Sequence, residues 1–191
     1  MKLIILDRDG VINHESTEFV KSAEEWVALP GSIEAIAKLF HAGYKVVVAT
    51  NQSGLGRGLF DIHALHAMHK KLQLELQPLG ANIDAFFICP HHPDEDCDCR
   101  KPKPGLFNEI KRRYGIEPHG IYAVGDSLRD LQASSAAGFT PWLVLTGNGE
   151  KTLTKGGLPP HTRVSHSLMD VAEILTKELS SNKETGTSIN D

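Results

Sequence analysis

Along the chain, short blocks of apolar residues alternate with longer stretches in which apolar positions recur every three or four residues. Residues 3–6 (LIIL), 44–49 (YKVVVA), 83–88 (IDAFFI), 121–124 (IYAV) and 141–145 (PWLVL) are the short blocks. Such runs, rich in β-branched residues and bounded by polar ones, predict strands buried on both faces. Between them, Ile33, Ile36, Ala37, Leu39 and Phe40 have helical spacing, with Ser32 placed as an N-cap and Gly43 as the stop. Asp61 predicts the cap of a long helix to residue 77, closed by Pro78 and Gly80. Further helices are expected over 104–114 before Gly115, after Gly125-Asp126 to about 137 before Gly138, and over 167–179. Residues 180–191 are polar without an apolar period and predict a disordered tail, leaving one domain over 1–179.

Strands alternating with helices predict an α/β protein, a Rossmann-like three-layer fold with a central parallel sheet. In such a sheet all strand C-termini lie on one edge, where ligands bind. The unusual polar residues fall there: Asp7 and Asp9 after the first strand, Thr50 and Asn51 after the second, Cys89 after the third, Asp126 after the fourth.

Composition narrows the partners. A chain of 191 residues with 40% hydrophobic content builds a core of ordinary size. The net charge of −4 lacks the basic footprint of a nucleic-acid binder. Lys70-Lys71 and Lys111-Arg112-Arg113 fit solvated helix faces. No apolar run approaches the roughly 20 residues of a membrane span, and the N-terminus lacks a signal-peptide pattern. A cytoplasmic, monomeric protein acting on a small molecule is expected.

Asp7 and Asp9, one residue apart in DRDG, would repel unless a cation lies between them or one holds a proton. Carboxylates at neighbouring strand ends suit Mg²⁺, which keeps open positions for a phosphate. Asp126 is the candidate third carboxylate, its competing role being a helix cap, and Asp130 would orient the site from behind. Arg100 and Lys101 supply a fork and a point charge for phosphate oxygens. The three cysteines, Cys89, Cys97 and Cys99, cluster with His91 and His92 within 11 residues. Three thiolates and one imidazole make a closed structural zinc set, and either histidine reaches. His63, His66 and His69 read as helix surface.

The ordered set D7-R-D9-G10, T50-N51, K101-P and G125-D126-S-L-R-D130 resembles the haloacid dehalogenase superfamily of phosphatases. The resemblance implies Asp7 as nucleophile, Asp9 as general acid and base, and Mg²⁺ on Asp7, the Asp9 backbone carbonyl and Asp126. It also implies Thr50 and Lys101 as holders of the phosphoryl oxygens. The run CPHHP followed by CDCRKP, with TNQSG, is similar to the D-glycero-D-manno-heptose 1,7-bisphosphate 7-phosphatases and their relatives, the histidinol-phosphate phosphatases. That likeness favours His91 as the zinc ligand, implies the absence of a large cap domain, and makes a sugar bisphosphate of lipopolysaccharide precursor synthesis the expected substrate. Glu15, Asn51, Gln52, Ser53 and Arg100 are the candidate substrate contacts. The stretch 91–97 is shorter than in some relatives, and the loop after Asn13 departs from their pattern. The competing readings are a histidinol-phosphate phosphatase, a receiver-like phosphorylation switch and a zinc-stabilised binding module.

Overall fold

The computed structural model describes residues 1–185. Six strands form one parallel sheet: β1 (Leu3–Leu6), β2 (Lys45–Asn51), β3 (Ala85–Cys89), β4 (Tyr122–Gly125), β5 (Thr140–Val144) and β6 (Arg163–Ser165), in the order β3-β2-β1-β4-β5-β6. Seven helices are described: α1 (Ser32–His41), α2 (Ser53–Gly56), α3 (Ile62–Leu76), α4 (Gly105–Tyr114), α5 (Leu128–Ala136), α6 (Gly149–Lys155) and α7 (Leu168–Thr185).

The period-two alternation of a strand sorts the core into two layers. Ile4, Leu6, Val46 and Val48 pack with residues of α1, α3 and α7 on one face. Leu3, Ile5, Val47 and Ala49 pack with α4 and α5 on the other. Every residue of β1 is buried, which is why the strand reads as a continuous apolar run. The connection from β1 to α1 carries no helix or strand of three or more residues, so no cap domain is inserted there.

The order matters for function. After β3 the chain returns to the other side of β1, so the direction of winding reverses between β1 and β4. A crevice opens at such a switch point, outside the strand C-termini. A receiver domain follows the order 2-1-3-4-5; the present order, with an aspartate closing β1, departs from it.

The structure also revises several expectations. Gly31, at φ 77°, occupies the N-cap of α1, while the Ser32 hydroxyl donates 2.6 Å to the Ile12 carbonyl; a serine spent on the loop below cannot cap. Helix α6 and strand β6 went unpredicted because β6 is three residues with one buried position, too short for a periodic signal. Helix α7 continues to Thr185, past the expected start of the tail at 180; residues 186–191 lie outside the described residues. His69 is 7% exposed and stacks on Phe86 at 3.9 Å, instead of lying on a helix surface. Lys71 donates to the carbonyls of Ala23 and Trp26 at 2.9 and 2.6 Å, tying α3 to the loop before α1.

Candidate active site

Asp7 leaves β1 with its N–H donating to Val124 of β4 at 2.9 Å, so the chain is still held in the sheet as its carboxylate enters the crevice. Gly10 then turns at φ 81°. Both Gly10 and Gly147 press on Asp126: a Cβ at either would come within 2.1 or 2.3 Å of its Oδ2. Asp126 is thereby walled in between two backbones, and the Asn148 N–H donates to the same oxygen at 2.8 Å. Helix α5 is capped by Ser127 in a reciprocal box with Asp130, which frees Asp126 from capping.

Lys101 is the buried hub. Its Nζ lies 2.9 Å from Asp7 Oδ1, 2.7 Å from Asp130 Oδ1 and 2.8 Å from the Ala49 carbonyl. Asp7 and the Ala49 carbonyl accept hydrogen bonds from this ammonium, and Asp130 pairs with its charge. Asn51 aligns it: its side-chain amide exchanges two 3.1 Å hydrogen bonds with the Lys101 backbone. The amide of Asn51 thus holds Lys101 with one of its two N–H groups.

Carboxylates of Asp7, Asp126 and Asp130 gather with oxygens within 4.8 Å of one another. Burial and like charge raise two of them. Asp7 is pushed up to about 6, burial outweighing the pull of Lys101. Asp126 is pushed up to about 8 by burial and by its neighbours Asp130 and Asp7. Asp130 is held below its ordinary value because Lys101 and Arg129 overcome its burial. An all-oxygen pair whose charge burial and like neighbours disfavour fits a hard divalent ion, which would offset that penalty, with Asp130 bracing Asp7 through Lys101.

Asp9 behaves differently. Burial acts to raise it, yet the Arg8 guanidinium and donors from Asn13 and Gln52 hold it below the ordinary carboxylate value. Of the doublet, expected to straddle a cation or to hold one proton, Asp7 carries the upward shift, because the arginine between them faces Asp9. Gln52 is likewise engaged, its amide bonded to Asp9, Thr50 and Arg8.

Beside Asp9 opens a cavity of about 300 Å³, lined among others by Glu15, Asn51, Ser53, Arg57, Arg100 and Arg129. Four of the expected contacts, Glu15, Asn51, Ser53 and Arg100, meet there with Gln52. The Nη1 of Arg100 is buried without a hydrogen-bond partner among the described residues. Arg8, Arg57 and Arg129 were missed by sequence reasoning. The arginine inside DRDG and the one four residues after Asp126's preceding glycine were signals at hand; Arg57, in a glycine-rich run, offered none.

In the loop after β3, Sγ of Cys89 lies 3.6 Å from Sγ of Cys97, which lies 3.6 Å from Sγ of Cys99. His91 Nδ1 lies 3.7 Å from Cys89 and 3.2 Å from Cys99. Four ligands about 2.3 Å from a central zinc would stand about 3.8 Å apart, so the donor set fits a tetrahedral ion. His92 is turned away and caps the next turn, its Nδ1 accepting from Asp94 N–H at 3.2 Å, which selects His91.

A parallel sheet in this order, with an aspartate closing β1 and a lysine-braced acidic pair at the switch point, defines a haloacid dehalogenase-like hydrolase. The HAD-hydrolase-like family model matches residues 98–171. The D-glycero-beta-D-manno-heptose-1,7-bisphosphate 7-phosphatase of Bordetella bronchiseptica is 60% identical over 93% of this chain and 99% of its own length. The enzyme of that name from Neisseria meningitidis is 49% identical over 93% of this chain and 96% of its own. The crystal structure of the B. bronchiseptica phosphatase, complexed with magnesium and phosphate, superposes with a TM-score of 0.92 at 60% identity, covering 93% of this chain and 99% of the other. The chain belongs to the D-glycero-beta-D-manno-heptose-1,7-bisphosphate 7-phosphatase family.

Proposed function

We propose that the protein removes the 7-phosphate of D-glycero-β-D-manno-heptose 1,7-bisphosphate through an aspartyl-phosphate intermediate. The observation that carries this reading is the buried meeting of Asp7, Asp126 and Lys101 at the β1/β4 switch point, in a chain that matches enzymes of that name along almost its full length.

Asp7 is the nucleophile: a carboxylate oxygen bonds to phosphorus as the ester P–O bond breaks. The negative charge of the arriving phosphate raises Asp9 towards its protonated form, from which it delivers a proton to the leaving oxygen. It then takes one from the water that attacks phosphorus, releasing phosphate and restoring Asp7. Thr50 and Lys101 hold phosphoryl oxygens, and Asp130 keeps Lys101 aimed. Asp7, Asp126 and the Asp9 backbone carbonyl would hold Mg²⁺, which when bound draws charge from the phosphoryl oxygens. Arg100, with Arg57 and Arg129, gives the cavity the cationic lining that the second phosphate needs. Cys89, His91, Cys97 and Cys99 would hold a structural zinc that fixes the loop delivering Arg100 and Lys101. We further place this activity in the cytoplasm, in a monomer of one domain.

Steady-state phosphate release with and without Mg²⁺ tests the reading, on the heptose bisphosphate and on histidinol phosphate. The expected result is Mg²⁺-dependent turnover with kcat/KM at least about 100-fold higher for the bisphosphate, since a site built for charged groups rejects substrates that lack them. A preference of the same size for histidinol phosphate would reverse it.

A further inference from the structure

Arg8 is among the largest fully buried side chains, 1% exposed, and has no part in the chemistry proposed above. A guanidinium is costly to bury unless a carboxylate compensates it. Its Nη2 lies 3.0 and 3.1 Å from the two oxygens of Asp9, and 3.1 Å from Gln52 Oε1. Gln52 closes the ring, its Nε2 donating 2.9 Å to Asp9 Oδ2 and 2.9 Å to Thr50 Oγ1. Asn13 Nδ2 donates to Asp9 Oδ1 at 2.9 Å. Beneath the guanidinium are the Met68 sulfur at 3.9 Å and helix α3. On that helix His69 is pushed down to about 3, by burial first and by Arg8 second, so it stays neutral and adds no competing charge. Gln52 is 4% exposed, and both its amide protons are donated inside the protein, to Asp9 and Thr50.

We infer that Arg8 and Gln52 are positioning residues, joining the Asp9 carboxylate and the Thr50 hydroxyl into one hydrogen-bonded unit on which proton delivery to the leaving oxygen depends. The inference rests on the reading of Asp9 as proton donor. Proton transfer requires the donor within hydrogen-bond reach of the leaving oxygen, and a displacement of about 1 Å costs on the order of 10²-fold. Asp9 itself is on a loop with a quarter of its side chain exposed. What fixes it is the set of buried groups around it, Arg8 and Gln52 together with Asn13.

The test exploits the leaving group. An alcohol must be protonated as it departs, whereas 4-nitrophenolate leaves unaided. We would compare kcat/KM, which reports events through phosphoryl transfer to Asp7, on the sugar bisphosphate and on 4-nitrophenyl phosphate. Arg8→Met and Gln52→Leu are the variants, with Asp9→Asn as reference. Each variant is expected to lose about 10²-fold on the sugar ester and less than about tenfold on the aryl ester. Arg8→Lys, which keeps the charge on a shorter-reaching ammonium, is expected to fall between Arg8→Met and the wild type. Equal losses on both esters, or wild-type rates on the sugar ester, would overturn the inference. If Asp9→Asn discriminates between the esters and the Arg8 and Gln52 variants do not, the inference fails while the acid role stands. If Asp9→Asn fails to discriminate, the acid role falls and takes the inference with it. Should Arg8→Met not fold, Gln52→Leu removes only a neutral amide and carries the same expectation.

Discussion

Replacing Lys101 by methionine keeps the unbranched stem and deletes the charge. Two buried ion pairs disappear, at 2.9 Å to Asp7 and 2.7 Å to Asp130, together with the 2.8 Å hydrogen bond to Ala49. At an effective dielectric of about 20, each pair is worth about 6 kcal/mol of direct attraction. Most of that offsets the desolvation of burying three charges, so the net cost of breaking the cluster is about 3–5 kcal/mol. For a chain of this size that is a fall in Tm of roughly 6–20 °C. The loss is smaller than the total stability of a typical domain, about 5–15 kcal/mol, so Lys101→Met is expected to fold. Calorimetry in Mg²⁺-free buffer is the assay, because a divalent ion beside Asp7 would mask the missing ammonium. Adding Asp130→Asn removes one of the two stranded carboxylates and should restore part of the lost stability. Turnover is expected to fall below about 1% of wild type, as a phosphoryl-oxygen ligand and the alignment of Asp7 go together. A Tm within about 2 °C of wild type would refute the claim that Lys101 holds the acidic cluster together.

Three further outcomes are expected. Gly147→Ala places a Cβ 2.3 Å from Asp126 Oδ2 and 2.6 Å from the Gly10 backbone, at φ 58°, and should weaken Mg²⁺ binding about 10–100-fold by isothermal titration. Because Asp7 is raised to about 6 and Asp126 to about 8, the folded protein holds protons there that the unfolded chain has released, so these two groups lose stability as pH rises towards 8. Mg²⁺ competes with those protons; the Tm increment it produces should therefore grow between pH 6 and 8, and an increment that shrinks over that range would contradict the site. Metal analysis should find about one zinc per chain, and Cys97→Ser should release it and lower Tm; a metal-free wild-type protein with unchanged stability would dismiss the zinc.

Much of this protein is legible without coordinates. Strands β1, β2, β4 and β5 announce themselves because their interiors are buried on both faces and admit apolar residues, and their polar ends stand out against that background. The zinc donors are equally plain, since they lie within 11 residues and local chain suffices to gather them. Non-local packing decides the rest. No local pattern reveals that β4 lies beside β1 and brings Asp126 to Asp7 across more than a hundred residues. Burial of Arg8 and His69 is a property of what α3 and β2 close over, and both side chains are polar in isolation. The same holds for Asn51 and Gln52: their type suggests contact with a ligand, and only the tertiary structure shows their amides also bonded to Lys101, Arg8, Asp9 and Thr50. Residue type and spacing determine which groups are available for chemistry, while the energy of burying them together decides which of those groups are left free to perform it.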